Sequence, residues 1–118
     1  MTIRIRSIAA FAVTALLMAG PVHAVEPGPW ALESAEGTCH IEFQNEPYAE
    51  GIWTILQHDG DCPAALMALS AYSENNDGQS IMLYTTANGL EMTGRVDRED
   101  DRLYVGMVGD LEVTMTRP

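Results

Sequence analysis

The sequence predicts an all-β protein: eight short antiparallel strands closed into an up-and-down barrel, with one short helix and one disulfide. Three observations carry that expectation. Apolar and polar residues alternate with period two in run after run, as where Cys39, Ile41 and Phe43 oppose His40 and Glu42. Clusters of turn formers separate these runs at hairpin spacing, and consecutive hairpins with one apolar face lose their exposed edges when the sheet closes on itself. Only two cysteines are present, and the first sits inside an alternating run.

The chain opens on what reads as a cleavable export signal, residues 1–24. Arg4 and Arg6 supply the positive start, and Ile8 to Met18 is an apolar run too short for a membrane span. Gly20-Pro21 breaks the helix, and Val22 and Ala24 place small residues at the −3 and −1 positions of a cleavage site. No cysteine stands immediately after that site, which argues against a lipid anchor, and Ile5 separates the two arginines of what would otherwise be a twin-arginine pair. A mature chain starting at Val25 and a periplasmic location are therefore expected. Residues 25–118 suffice for one small domain and leave no room for a second core.

Charge excludes several partners. The leader takes two of the six basic residues, leaving four against seventeen acids, a net −13, and the chain contains no lysine. Neutralising phosphates requires cations, so nucleic acid is excluded as a partner. An anionic membrane surface is disfavoured on the same ground. The charge favours solubility and attraction to a basic partner or a cation-bearing cleft. A monomer without cofactors is expected.

The elements follow in order. Val25-Glu26-Pro27-Gly28-Pro29 is expected to be a stiff extended segment, since its two prolines fix φ and lack amide donors. The barrel domain is then assigned to residues 30–118. Strands are expected around Trp30 and at Cys39–Phe43, Ile52–Leu56, Ala71–Tyr72, Ser80–Tyr84, Leu90–Arg95, Arg102–Met107 and Leu111–Thr116. Asn75–Gly78, Ala87–Gly89, Asp97–Asp101 and Gly109-Asp110 read as the connections. Period two assigns Leu90 and Met92, then Leu103, Val105 and Met107, then Leu111, Val113 and Met115 to one face. The exception is Cys62 to Leu69, where proline followed by good helix formers predicts one or two helical turns.

In an oxidising compartment an even cysteine count favours an internal Cys39–Cys62 bond, the alternatives being free thiols or intermolecular bridges. Such a bond would stabilise a domain this small by about 3 kcal/mol on the chain-entropy model.

Chemistry-bearing patterns are sparse. His40 lies on the polar face of its strand. His58, Asp59 and Asp61 match no metal-ligand spacing, and Asp97 to Asp101 lacks the glycine and terminal glutamate of a calcium loop. Ser34, Ser70, Ser73 and Ser80 stand in no nucleophile-elbow context, and no phosphate-binding glycine loop is present. An enzyme is not expected. Trp30, Trp53, Tyr72, Tyr84 and Tyr104 read as core or rim residues.

Taken together these residues resemble the alkaline protease inhibitor family, small bacterial periplasmic inhibitors of serralysin-type zinc metalloproteases. The match comprises W-x-L at Trp30–Leu32 and G-x-C-x-I-x-F at Gly37–Phe43. It continues through a second cysteine opening a short helix from Cys62 to Leu69 and a last strand closing on Thr116-Arg117. It covers essentially the whole mature chain, with its specific motifs in the first half. The resemblance implies a compact lipocalin-like barrel bearing an amino-terminal trunk that enters the protease cleft. Trp30, Leu32, Gly37 and Ile41 would then be barrel signature residues. Val25, Glu26, Pro27, Gly28 and Pro29 would form the trunk, with the Val25 amine nearest the protease zinc and Glu26 and Pro27 in adjacent subsites. An open coordination position on a catalytic zinc could accept such a donor, since an α-amine titrates at about 7.7–8.0. The chain departs from the family in its shorter trunk, in Val25-Glu26 replacing a small polar start, and in Tyr72 standing where a later tryptophan often follows the helix. The competing expectation is a non-enzymatic periplasmic barrel that binds a small ligand or another protein, because an eight-stranded barrel can hold one small molecule.

Overall fold

A computed structural model of the chain describes residues 25–58 and 61–118; the predicted leader and Asp59 lie outside the described residues. Eight strands form one closed barrel in chain order, every neighbouring pair antiparallel. They are β1 (Gly28–Ser34), β2 (Gly37–Ala49), β3 (Ile52–Gln57), β4 (Ala71–Asn75), β5 (Ser80–Thr85), β6 (Glu91–Asp100), β7 (Leu103–Val108) and β8 (Leu111–Thr116). Closure comes from β8 returning to β1, with Leu32 opposite Met115. Among the described residues no helix is long and apolar enough to cross a membrane.

Among the described residues the one helix, α1 (Ala64–Met67), sits between β3 and β4 and is one turn long. Pro63 precedes it in an extended conformation and its carbonyl accepts from the Leu66 and Met67 amides at 3.0 and 2.9 Å. Leu66 and Leu69 turn into the core. Gln57 fastens this segment to the barrel: its amide nitrogen donates to the Leu66 and Leu69 carbonyls at 3.0 and 2.7 Å. Its amide oxygen lies 3.3 Å from the Cys39 sulfur. Cys39 and Cys62 are joined in a disulfide, as expected.

The interior is filled by aromatic rings. Phe43 stacks on Tyr72 with centroids 3.9 Å apart, Trp30 lies 6.1 Å from Phe43, and Tyr104 meets Trp30 edge-on at 5.7 Å. Edge-to-face and offset contacts of this kind add about 0.5–1.5 kcal/mol each beyond burial. Leu32, Ile41, Ile81, Leu83, Val96 and Met115 complete the core.

The expected faces hold for β2 and β8 and fail for two strands. Leu90 and Met92 point outward, 42 % and 57 % exposed. The register shows why: Leu83 pairs with Gly94 but Tyr84 with Met92, so Thr93 is an extra residue. A bulge of this kind reverses the alternation on one side of it. In β7 the inward residues are Tyr104 and Val108, while Met107 is 43 % exposed. Tyr104 wins the inward place because its hydroxyl donates to the Gly78 carbonyl at 2.8 Å. A Cβ on Gly106 would collide with the Arg95 carbonyl oxygen, so this position admits only glycine.

Several boundaries also move: β2 runs on past Phe43 to Ala49 and β4 past Tyr72 to Asn75. The stretch Asp97–Asp101 is mostly strand, with β6 running to Asp100 and the turn confined to Asp101-Arg102. At the amino end, Gly28 and Pro29 already belong to β1, paired with Phe43 and Glu42, so the barrel begins at residue 28.

Candidate interaction site at the barrel mouth

The amino-terminal segment does not project. Val25 is only 5 % exposed and belongs to the same apolar cluster as Trp30 and Tyr104. Its backbone nitrogen donates to Glu74 Oε2 at 3.0 Å, tying it to β4. The carbonyls of Glu26 and Pro27 accept from Arg117 Nη1 and Nη2 at 2.9 and 3.0 Å. The expected trunk is therefore corrected: Val25 to Pro27 lie folded against the barrel end, and Gly28 and Pro29 are sheet. The physical reason is local. Proline stiffness sets the shape of the segment, whereas its direction is set by an apolar first residue and by two side chains that offer it a donor and an acceptor.

Arg117 organises the mouth. Its guanidinium carbon lies 5.1 Å from the centroid of the Trp30 ring, within cation–π range. Gly28 makes room for it: φ there is +139°, and a Cβ would fall 2.9 Å from Arg117 Nη2. Beside these residues an open hollow of about 550 Å³ is lined by Val25, Glu26, Trp30, Tyr104 and three arginines, Arg98, Arg102 and Arg117. Three of the four arginines of residues 25–118 thus gather at one end of a strongly acidic domain. Arg98 is paired with Asp101, and Arg102 donates to the Pro118 carbonyl at 2.7 Å.

The electrostatics of the mouth centre on Glu74. Burial lifts the Tyr72 phenol well above its ordinary range, and the Glu74 charge adds to that shift. Tyr104 is raised chiefly by burial, with Arg98 opposing and Glu74 contributing. Two buried phenols, one on β4 and one on β7, thus sense the same carboxylate.

The signature residues are structural. Trp30, Leu32 and Ile41 are buried core residues of β1 and β2. Gly37 has φ +142°, and any Cβ there would run into the backbone of Asp61, so the glycine lets the disulfide-linked loop lie against the barrel. Elsewhere, His58 Nε2 lies 3.2 Å from Glu42 Oε1, and among the described residues no three His, Cys, Asp or Glu side chains gather as a metal site.

Sequence reasoning missed Glu74, Arg98 and Arg102, and took Arg117 only as a basic ending. None of them lies in a motif; only the crowding of arginines into residues 95–117 of a lysine-free chain hinted at a shared place. No protein-family model matches the chain, and no curated protein matches it in sequence.

Proposed function

We propose that this chain is an exported, non-enzymatic inhibitor of a serralysin-type zinc metalloprotease, acting in the periplasm as a monomer from the end of the barrel that carries its amino terminus. The observation that carries this reading is how that end is held. Residues 25–27 make no sheet pairing before Gly28 and are anchored by the side chains of Glu74 and Arg117. A segment held by side chains can be peeled away without opening the barrel. The disulfide-tied wall behind it stays rigid, which limits the entropy lost on docking.

Peeling has a definite magnitude. Re-exposing the Val25 side chain costs about 1.5–3 kcal/mol. Three hydrogen bonds add about 1 kcal/mol each before new ones form. A stowed segment therefore inhibits less tightly than a free arm of the same sequence, by about three to four powers of ten if the protease cleft replaces few of these contacts. Three released residues reach about 10 Å, so the barrel rim has to sit at the cleft itself. Aromatic filling of the interior weighs against the alternative of a small ligand held in the lumen.

The test is inhibition of a serralysin-type protease by residues 25–118, compared with a form beginning at Gly28 and with Glu74→Gln. One-to-one inhibition is expected from the first, loss of it from the second, and tighter inhibition from the third. Equal inhibition with and without residues 25–27 would remove the amino end from the mechanism, and no inhibition by any form would end the proposal.

A further inference from the structure

We propose that the barrel mouth is a binding site for a free α-ammonium group on a small aliphatic residue, and that its occupant is Val25 itself once the leader is removed. This rests on cleavage after Ala24 and does not depend on the protease reading. Hydrolysis of the Ala24–Val25 peptide bond by a leader peptidase and water leaves a carboxylate on Ala24 and an ammonium on Val25. The nitrogen that changes is the one standing 3.0 Å from Glu74 Oε2.

Before cleavage that nitrogen is a neutral amide with one hydrogen to donate; afterwards it is a cation with three. Charge-assisted bonds are about twice as strong as neutral ones, so processing strengthens the contact that holds the segment down. The site is built on both sides of the nitrogen. The valine side chain is sunk in the core cluster, which suits a compact aliphatic group, and Glu74 supplies the counter-charge. The other charges around the mouth are Glu26, Asp77, Asp101, Arg98, Arg102 and Arg117. The three guanidiniums are engaged with Asp101 and with the carbonyls of Pro118, Glu26 and Pro27. Cleavage thus does more than release the protein: it creates the group that closes the end of the barrel.

The composition makes a clean experiment possible. With no lysine in the chain, the α-amine is the one primary amine of the processed protein. The full chain is expressed with its leader, the processed form is purified, and its mass establishes the first residue. Acetylation by an N-hydroxysuccinimide ester is then timed by mass spectrometry for the wild type, for Glu74→Gln and for wild type in denaturing urea. Only the neutral amine reacts, and a neighbouring carboxylate raises the amine pKa by about one unit, or tenfold in rate. The wild-type amine is expected to react at least fivefold more slowly than that of Glu74→Gln. Acetylation is also expected to lower the melting temperature of the wild type and not of the variant. If near-ultraviolet circular dichroism finds the variant unfolded, the comparison with wild type in urea decides on the same fivefold threshold. A smaller difference, or a processed chain that begins elsewhere than Val25, overturns the proposal.

Discussion

The guanidinium of Arg117 covers the Trp30 ring at 5.1 Å while its two terminal nitrogens hold the carbonyls of Glu26 and Pro27, so one side chain joins the last strand, the first strand and the segment before it. The contact combines a cation–π interaction worth about 0.5–2 kcal/mol with two hydrogen bonds of about 1 kcal/mol each. Arg117→Ala is therefore expected to destabilise the domain by about 2–3 kcal/mol and to shift Trp30 emission to the red as the indole becomes wet. Arg117→Lys recovers part of this at most, since a lysine lacks the fork that reaches two carbonyls. Urea denaturation followed by fluorescence and by circular dichroism measures both effects.

Gly106 is a close approach of β7 to the backbone of β6. A Cβ there would overlap the Arg95 carbonyl oxygen and lie 2.7 Å from the Val96 Cα, and these nearest atoms are backbone rather than the flexible end of a side chain. Gly106→Ala is expected to cost about 3 kcal/mol or more, the upper range for overpacking. Gly109→Ala is the useful contrast. No atom lies within 4 Å of a Cβ there, and the penalty comes only from φ of +60°, about 1 kcal/mol. A thermal unfolding series that ranks the two variants the other way round would contradict this account of the barrel wall.

Reduction of the Cys39–Cys62 bond frees a loop with a sequence separation of 23 residues and should lower stability by about 3 kcal/mol. The loss should be concentrated around α1, because Gln57 and the disulfide secure the same segment from two sides. Hydrogen exchange with and without reductant is expected to expose residues 62–70 first and the β5–β8 wall last. Uniform loss of protection would mean that the bond supports the whole barrel equally.

Asp97 gives the domain a pH dependence with a definite sign. Ser80 and Arg95 donate to its carboxylate at 2.7 and 3.0 Å, and these two hydrogen bonds hold its pKa below the ordinary value. A depressed carboxylate contributes stability above its unfolded pKa of about 3.9 and loses it as pH falls through the lower folded value. Melting temperatures of wild type and Asp97→Asn should therefore differ at pH 6 and converge as the pH drops toward the folded pKa. The side chain is 54 % exposed, so the gap should also shrink in high salt.

The strands were legible because period two runs cleanly through β2 and β8 and through stretches of the others, and the turns because Asn, Asp and Gly punctuate them. Direction was harder to read. In β7 both alternating sets are apolar, Leu103, Val105 and Met107 on one and Tyr104 and Val108 on the other. The choice rests on a hydroxyl finding the Gly78 carbonyl 26 residues away. In β6 a single extra residue at Thr93 turned the expected face outward, and nothing near it in sequence announces a bulge. The amino end depended on partners 49 and 91 residues distant. Its prolines report stiffness but carry no information about whether a stiff segment stands away or lies down.

Pairing of β1 with β8 has a temporal corollary. The strand that seals the ring is the last of the eight to be synthesised and, on the export reading, the last to be threaded through a membrane. Until it arrives, β1 and β7 present raw edges and the aromatic stack stands open to solvent on one flank. Premature termination ahead of Leu111 would leave the product an adhesive, easily digested ribbon, so quality control is built into the order of the chain.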